Sequence, residues 1–293
     1  MRILIGLDGS SSSDTVIQAA ARRPWPAGSD FCVLTLVDPF FFTKTPQLME
    51  EAKKNALESV KDQAKLLTEQ GWAVQPEVIL DHPRHGLPRA AGTWKADLIL
   101  LGSHGRSAVQ RLLMGSTART VLRHAPCSVE IVRRKSKEET ASGGGMNVVI
   151  PTDGSEFANA ALRSVAERPW PGGSAFKVVA CPEYPVLVGE YPYCAPQELA
   201  DLLKNSQEQA SEMAEGGERL LTRAGLKACH ELTAPNEAPA SAILMVAEQS
   251  DADLIVLGSH GRRGMDRLIL GSVSETVALH AHCSVEVVRA AHS

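Results

Sequence analysis

The sequence predicts an α/β protein of two Rossmann-like, doubly wound domains, each a five-stranded parallel sheet with helices on both faces. Three observations predict it. Short apolar runs alternate with segments of helical period, which implies crossovers onto a parallel sheet. The whole pattern occurs twice in 293 residues, a length that fits two domains of ordinary size. In each half a glycine-rich loop follows the fourth apolar run, where a doubly wound sheet places its ligand.

The repeat is close. Leu100-Leu101-Gly102-Ser103-His104-Gly105-Arg106 returns as Val256-Leu257-Gly258-Ser259-His260-Gly261-Arg262, followed by Gly115-Ser116 and Gly271-Ser272. Asp8-Gly9-Ser10 matches Asp153-Gly154-Ser155, Pro24-Trp25-Pro26 matches Pro169-Trp170-Pro171, and Cys127-Ser128-Val129-Glu130 matches Cys283-Ser284-Val285-Glu286. The offset grows between these blocks, and the Pro- and Tyr-rich segment from Glu183 to Pro196 holds much of the insertion. A mixed-charge run ending in three glycines divides the halves, giving domains at 1–135 and 146–293 with a linker at 136–145.

Within the first half, Arg2 to Leu7 reads as a buried strand. The Asp8-Gly9-Ser10 turn leads to a helix over Asp14 to Arg22, stopped by Pro24-Trp25-Pro26, with Trp25 and Trp170 as packing residues. Phe31 to Val37 is the second strand. Leu48, Ala52, Ala56, Val60, Ala64 and Leu67 then mark an amphipathic helix that Gly71 ends. Trp72 to Leu80 is a strand, Leu87 to Lys95 a short helix, Asp97 to Leu101 a strand, Ser116 to His124 a helix and Ser128 to Val132 the last strand. Right-handed crossovers bring Asp8, at the end of strand one, beside Gly102, at the end of strand four.

Composition narrows the function. A net charge of −4 gives no reason to expect nucleic acid as the main partner. No apolar run approaches the ~20 residues of a membrane span, and no signal-peptide pattern is present, so a soluble cytoplasmic protein is expected. The six cysteines, Cys32, Cys127, Cys181, Cys194, Cys229 and Cys283, show no Cys-x-x-Cys pair and read as buried free thiols of a reducing compartment.

Glycines at 102, 105 and 115 let backbone amides approach an anion and allow φ values that other residues resist. Ser116 opens the next helix, where hydroxyl, free N–H groups and dipole favour negative charge. Asp8 is placed like an acid that accepts ribose hydroxyls, which favours a nucleotide. Neither a Gly-x4-Gly-Lys-Ser/Thr loop nor a Gly-x-Gly-x-x-Gly fingerprint occurs, so fast hydrolysis and dinucleotide redox chemistry lose support. No nucleophile, base and orienting acid share a motif, so no catalytic residue is assigned.

The spacing Gly-x2-Gly-x9-Gly-Ser, present in both halves, resembles the ATP-binding branch of the universal stress protein family in its tandem form, over nearly the whole chain. The resemblance implies that Asp8 and Asp153 contact the nucleoside and that backbone near Leu36 and Cys181 borders adenine. Gly102, His104, Gly105, Gly115, Ser116 and Thr117 would line the phosphates in one half, and Gly258, His260, Gly261, Gly271, Ser272 and Val273 in the other. It also implies that the last strands pair antiparallel about a two-fold axis, so that the repeat forms a pseudo-dimer within one chain. Two departures set the halves apart: Val273 replaces Thr117, with Ser274 where the first half has Ala118, and Pro182 alters the rim of the second pocket. The first half is therefore the safer site.

Arg106 and Arg262 are candidate clamps for terminal phosphates, with Arg111 and Arg267 more readily read as surface ion pairs. His104 and His260 face either a phosphate with its metal ion or solvent. Asp81, His82 and His85 have the composition of a metal cluster, but Ala238 and Ser241 at the matching places weigh against it. The expectation is a regulatory protein that binds ATP, with magnesium as a candidate companion, and acts through an unidentified protein partner or a further homo-oligomer. A slow ATPase or nucleotide-dependent phosphotransferase, and a scaffold with structural nucleotide, stand as alternatives.

Overall fold

The computed structural model describes residues 1–105, 114–134, 144–182, 196–234, 237–262 and 270–289. The first half runs β1 (Arg2–Leu7), α1 (Ser11–Arg22), β2 (Asp30–Val37), a 3-10 turn (Pro39–Phe42), α2 (Pro46–Thr68), β3 (Ala73–Leu80), α3 (Pro83–Trp94), β4 (Leu98–Gly102), α4 (Ser116–His124) and β5 (Ser128–Val132). The second repeats it as β6 (Asn147–Thr152), α5 (Glu156–Ala166), β7 (Ala175–Ala180), α6 (Pro196–Arg223), β8 (Lys227–Leu232), α7 (Pro239–Gln249), β9 (Leu254–Gly258), α8 (Ser272–His280) and β10 (Ser284–Val288). The strands form one ten-stranded sheet of order β3-β2-β1-β4-β5-β10-β9-β6-β7-β8, parallel within each half and antiparallel at β5–β10. Most of the linker at 136–145 and of the insertion from Glu183 lies outside the described residues.

Helix starts differ most from the sequence reading, because polar side chains set them. Helix α1 begins at Ser11 rather than Asp14: Asp8 Oδ1 accepts from Ser10 N at 3.0 Å and from Ser13 Oγ at 3.1 Å, and Ser13 Oγ accepts from Gly9 N, which winds the chain early. Helix α3 begins at Pro83 rather than Leu87, since His82 Nδ1 accepts from Arg84 N and proline fits a first helical position. The 3-10 turn, capped by Asp38 Oδ1 on Phe40 N at 2.9 Å, has no apolar period and was not expected.

Each half buries its outer helices separately. Val16, Ile17 and Ala20 of α1 and Val60, Ala64 and Leu67 of α2 pack on Ile3, Ile5 and Val33, and α5 and α6 cover the matching face of the second half. On the opposite face a single apolar cluster runs across both halves, joining Leu87, Val121 and Leu122 to Ile243, Val246 and Val277 through Val129, Ile131, Val285 and Val287. Hydrophobic burial at the joint is therefore continuous with both cores.

Polar groups fix that joint in symmetric pairs. Ile131 lies opposite Val285 and Glu130 opposite Glu286. The two carboxylates are 0% and 1% exposed. Arg23 clamps Glu130 through two hydrogen bonds of 2.6 and 2.7 Å, and Arg168 holds Glu286 at 2.9 Å. Burial works to lower the Arg23 pKa, but Glu130, through its charge and its hydrogen bonds, together with Glu286 and Asp253 holds the guanidinium above its ordinary value. Burial pushes the Glu286 carboxyl up, with Arg168 opposing and Glu130 adding to the rise. Both arginines precede the Pro-Trp-Pro stops, whose indoles donate to Ala20 O and Val165 O and whose two copies line one narrow cleft across the pseudo-two-fold.

A second exchange ties each last strand to the other half's last helix. Arg289 Nη2 donates to Leu122 O and Arg123 O, at 3.0 and 2.9 Å, capping α4, while Arg133 Nη2 donates to Ala278 O at 2.5 Å, capping α8. Burial lowers both guanidinium pKa values. Glu275 of α8 accepts from Arg119 and Arg123 of α4 across the same boundary.

Among the described cysteines, Cys32, Cys127 and Cys283 are buried and Cys181 is half-buried, whereas Cys229 is exposed on edge strand β8, contrary to the expectation of burial. Cys194 lies outside the described residues. Among these residues no helix is long and apolar enough to cross a membrane.

Candidate functional site

At the carboxyl ends of β1 and β4 in the first half lies a cavity of about 1130 Å³, slightly larger than the roughly 300–1,000 Å³ usual for small-molecule sites. Its walls include Asp8, Leu36, Gly102, His104, Gly105, Gly115, Ser116 and Thr117. The parallel register of β1 against β4, with Gly6 beside Leu101, brings the strand-one turn to the glycine loop. Phe41 and Phe42 of the 3-10 turn and Ser59 of α2 also line it. Arg106 and Arg111 lie outside the described residues.

The glycines act sterically. None of the loop glycines described has a positive φ, so unusual backbone torsion is not what requires them. A Cβ at Gly102 would stand 2.8 Å from Ser12 Cβ at the start of α1, and one at Gly105 would stand 2.6 Å from Asp8 Oδ2. Gly115 packs on the loop itself: its N–H donates to Ser103 O at 2.7 Å, and a Cβ would meet that oxygen at 3.3 Å. These close approaches hold the loop against Asp8 and leave the first turn of α4 facing the cavity. Gly115 is the N-cap of that helix, with no side-chain cap bond, so the N–H groups of Ser116, Thr117 and Ala118 are presented there. Ser103 Oγ sits 2.9 Å from His104 Nδ1, while buried His104 Nε2 has no hydrogen-bond partner among the described residues.

One cation at this end was not singled out from sequence. Arg84, in the first turn of α3, reaches over to α4, where Nη2 donates to Ser116 Oγ at 2.8 Å. Asp81, His82 and His85 engage differently from a metal cluster: Asp81 pairs with Arg89, His82 caps α3 and faces Asp38 at 3.9 Å, and the two imidazoles lie 5.7 Å apart. No group of three metal-ligating side chains occurs among the described residues.

The second half keeps the frame and changes the filling. A Cβ at Gly258 would stand 2.5 Å from the Phe157 carbonyl carbon, one at Gly261 2.8 Å from Asp153 Oδ2 and one at Gly271 3.1 Å from Ser259 O. Above this frame, Arg262 N donates to Asp153 Oδ2 at 2.9 Å, its Nε donates to Asp153 O, and its Nη2 contacts Met213 Sδ. Met213 itself packs on Gly154. Aligning Gly225 with Gly71, both at positive φ, and Leu221 with Leu67, both buried, puts Met213 at the place of Ser59. Arg262, read as a phosphate clamp, thus lies on the strand-six turn.

The remaining second-half residues follow the same trend. His260 is 6% exposed, with its ring 4.9 Å from Phe157. Val273 and Cys181 pack against the shared core, and burial raises the Cys181 thiol. Ser274 Oγ donates to Gly258 O at 2.7 Å, so its hydroxyl braces β9. Ser272 opens α8 and is exposed. Arg267 lies outside the described residues.

The profile of the universal stress protein family matches residues 1–133 and again 146–289. A universal stress protein of Mycolicibacterium smegmatis is 27% identical over 302 aligned residues, which cover 98% of this chain and 96% of that protein. One from Methanocaldococcus jannaschii is 31% identical over 142 residues, covering 48% of this chain and 81% of its own length. Among solved structures, a universal stress protein from Archaeoglobus fulgidus shares the fold with a TM-score of 0.66 at 20% identity, covering 98% of this chain and 96% of that one.

Proposed function

Because this chain belongs to the universal stress protein family in its tandem form, we propose that its first domain is an ATP-binding regulatory module and that the second domain serves chiefly as its fixed pseudo-dimer partner. The single observation that carries this reading is the first-half cavity, which puts an acidic strand end, a glycine loop and an uncapped helix N-terminus on one wall. In the proposed complex the phosphates lie on the N–H groups of Ser116 to Ala118, Asp8 accepts the ribose hydroxyls, and the base rests between Leu36 and the apolar side of α2. Ser116 and Thr117 hydroxyls, with the phosphates, would hold magnesium if it accompanies the nucleotide. The constellation offers binding and electrostatic complementarity. Among the described residues no side chain stands ready as the nucleophile of a covalent step, and the proposed role is occupancy-dependent regulation.

Calorimetry on the full chain tests the reading. Gly115→Val places a branched side chain against Ser103 O and over the first turn of α4. ATP binding that the wild type shows should then fall at least about tenfold. Unchanged affinity in a folded Gly115→Val variant refutes the assignment. Release of ADP and phosphate that Asp8→Ala abolishes would favour the ATPase alternative.

A further inference from the structure

We propose that Arg84 is a phosphate-binding residue of the first-half site, and that it adds to this site's preference for a charged nucleotide with a group the second half lacks at the matching position. The inference rests on the nucleotide reading above and adds a residue outside the glycine loop.

Arg84 occupies the second position of α3, after the His82 cap and Pro83. Pro83 lines the cavity, and so does Ser116, whose hydroxyl the Arg84 guanidinium contacts at 2.8 Å. The cation is therefore held at the lip of the cavity between the N-termini of two helices. Helix N-termini carry partial positive charge, so both helices disfavour a guanidinium there. Neither has an acidic residue in its first turn. No ion pair joins Arg84 to a carboxylate among the described residues, since Asp81 is taken by Arg89 and Asp38 faces His82.

Like charge is thus concentrated on one spot without local compensation, and the adjoining space is the cavity wall that presents free N–H groups. An anion at that spot compensates the guanidinium and both helix ends together. The guanidinium fork matches two oxygens of a phosphate, which an ammonium does as a point charge only. The repeat supplies an internal contrast, because the place of Arg84 in the second half is taken by Ala240, one residue after the Pro239 that opens α7.

The test compares a charged and an uncharged form of the same ligand on the full-length protein. Titrations with ATP and with adenosine are run on the wild type, Arg84→Ala and Arg84→Lys. Arg84 is exposed, so all three should melt together, which circular dichroism checks. Arg84→Ala should weaken ATP about tenfold, the range expected for loss of an exposed charge-assisted contact, and leave adenosine within about twofold of the wild type. Arg84→Lys should fall between the two, and the difference for ATP should shrink in high salt. Equal losses for ATP and adenosine, or an ATP affinity that Arg84→Ala leaves unchanged, overturns the role of Arg84 while the nucleotide reading stands. A wild-type protein that binds neither ligand overturns both.

Discussion

The two crevices of this protein are built on the same frame and differ in what stands over it. In the first half, Ser59 and Thr117 line an open cavity, with Arg84 at its lip. In the second, Met213 packs on Gly154, Arg262 lies across Asp153, and Val273 joins the core. The joint between the halves shows the opposite behaviour. Arg23–Glu130 matches Arg168–Glu286, and the Arg133 cap matches the Arg289 cap. The frame and the joint are kept in both halves, while the side chains described at crevice level differ: Ser59 and Thr117 in the first, Met213, Arg262 and Val273 in the second. Sharing a motif is therefore weaker grounds for sharing a ligand than sharing the side chains that face it.

The symmetric joint should give the largest effects. Glu130→Ala leaves Arg23 buried without its partner, and Arg cannot shed its charge, so unfolding free energy should fall by about 3–5 kcal/mol in denaturant titrations. Glu286→Ala should cost a similar amount. A joint in which one of the two is tolerated would be asymmetric, and the contrast with the crevices would fail.

The frame comes next. Gly258→Ala pushes a methyl group onto three backbone atoms of Phe157 and Ala158 at 2.5–2.9 Å, whereas Gly102→Ala meets one atom that close, Ser12 Cβ at 2.8 Å. Both should destabilise by about 1–3 kcal/mol, Gly258→Ala more than Gly102→Ala, as read by thermal melting. The reverse order would mean that the second loop is the looser one.

Transposing the filling should act on binding with smaller cost. Ser59→Met brings the second-half side chain into the first cavity and should weaken ATP about tenfold with little change in melting temperature. Full retention of affinity would show that a methionine at this place is compatible with an open crevice. The smallest effect is chemical. Burial pushes the Cys32 and Cys127 thiols up to about 12, so both stay protonated and unreactive toward iodoacetamide at pH 8, where exposed Cys229 is alkylated, and mass mapping distinguishes them.

The fold was readable because its signals are local and occur twice. The apolar runs 2–7, 31–37 and 128–132 lie within β1, β2 and β5, and the glycine spacing marks the loop after β4. Helix starts were less readable, since α1 and α3 begin on bonds made by Ser13 and His82 side chains that no apolar period reports. The contrast between the crevices was only half visible. Thr117 against Val273 stands within the motif, but Met213 arrives from α6 and Arg84 from α3, and each meets the loop only in three dimensions. The exchange of Arg84 for Ala240 is present in the sequence and carries no meaning until α3 is set beside α4.

The most direct measurement is the stoichiometry of ATP binding to the full chain by titration calorimetry, with Gly115→Val and Gly271→Val as separate variants. The expected result is one nucleotide per chain, at a site weakened or lost with Gly115→Val and kept with Gly271→Val. Two equivalent sites, or a site that disappears with Gly271→Val and survives Gly115→Val, would contradict it.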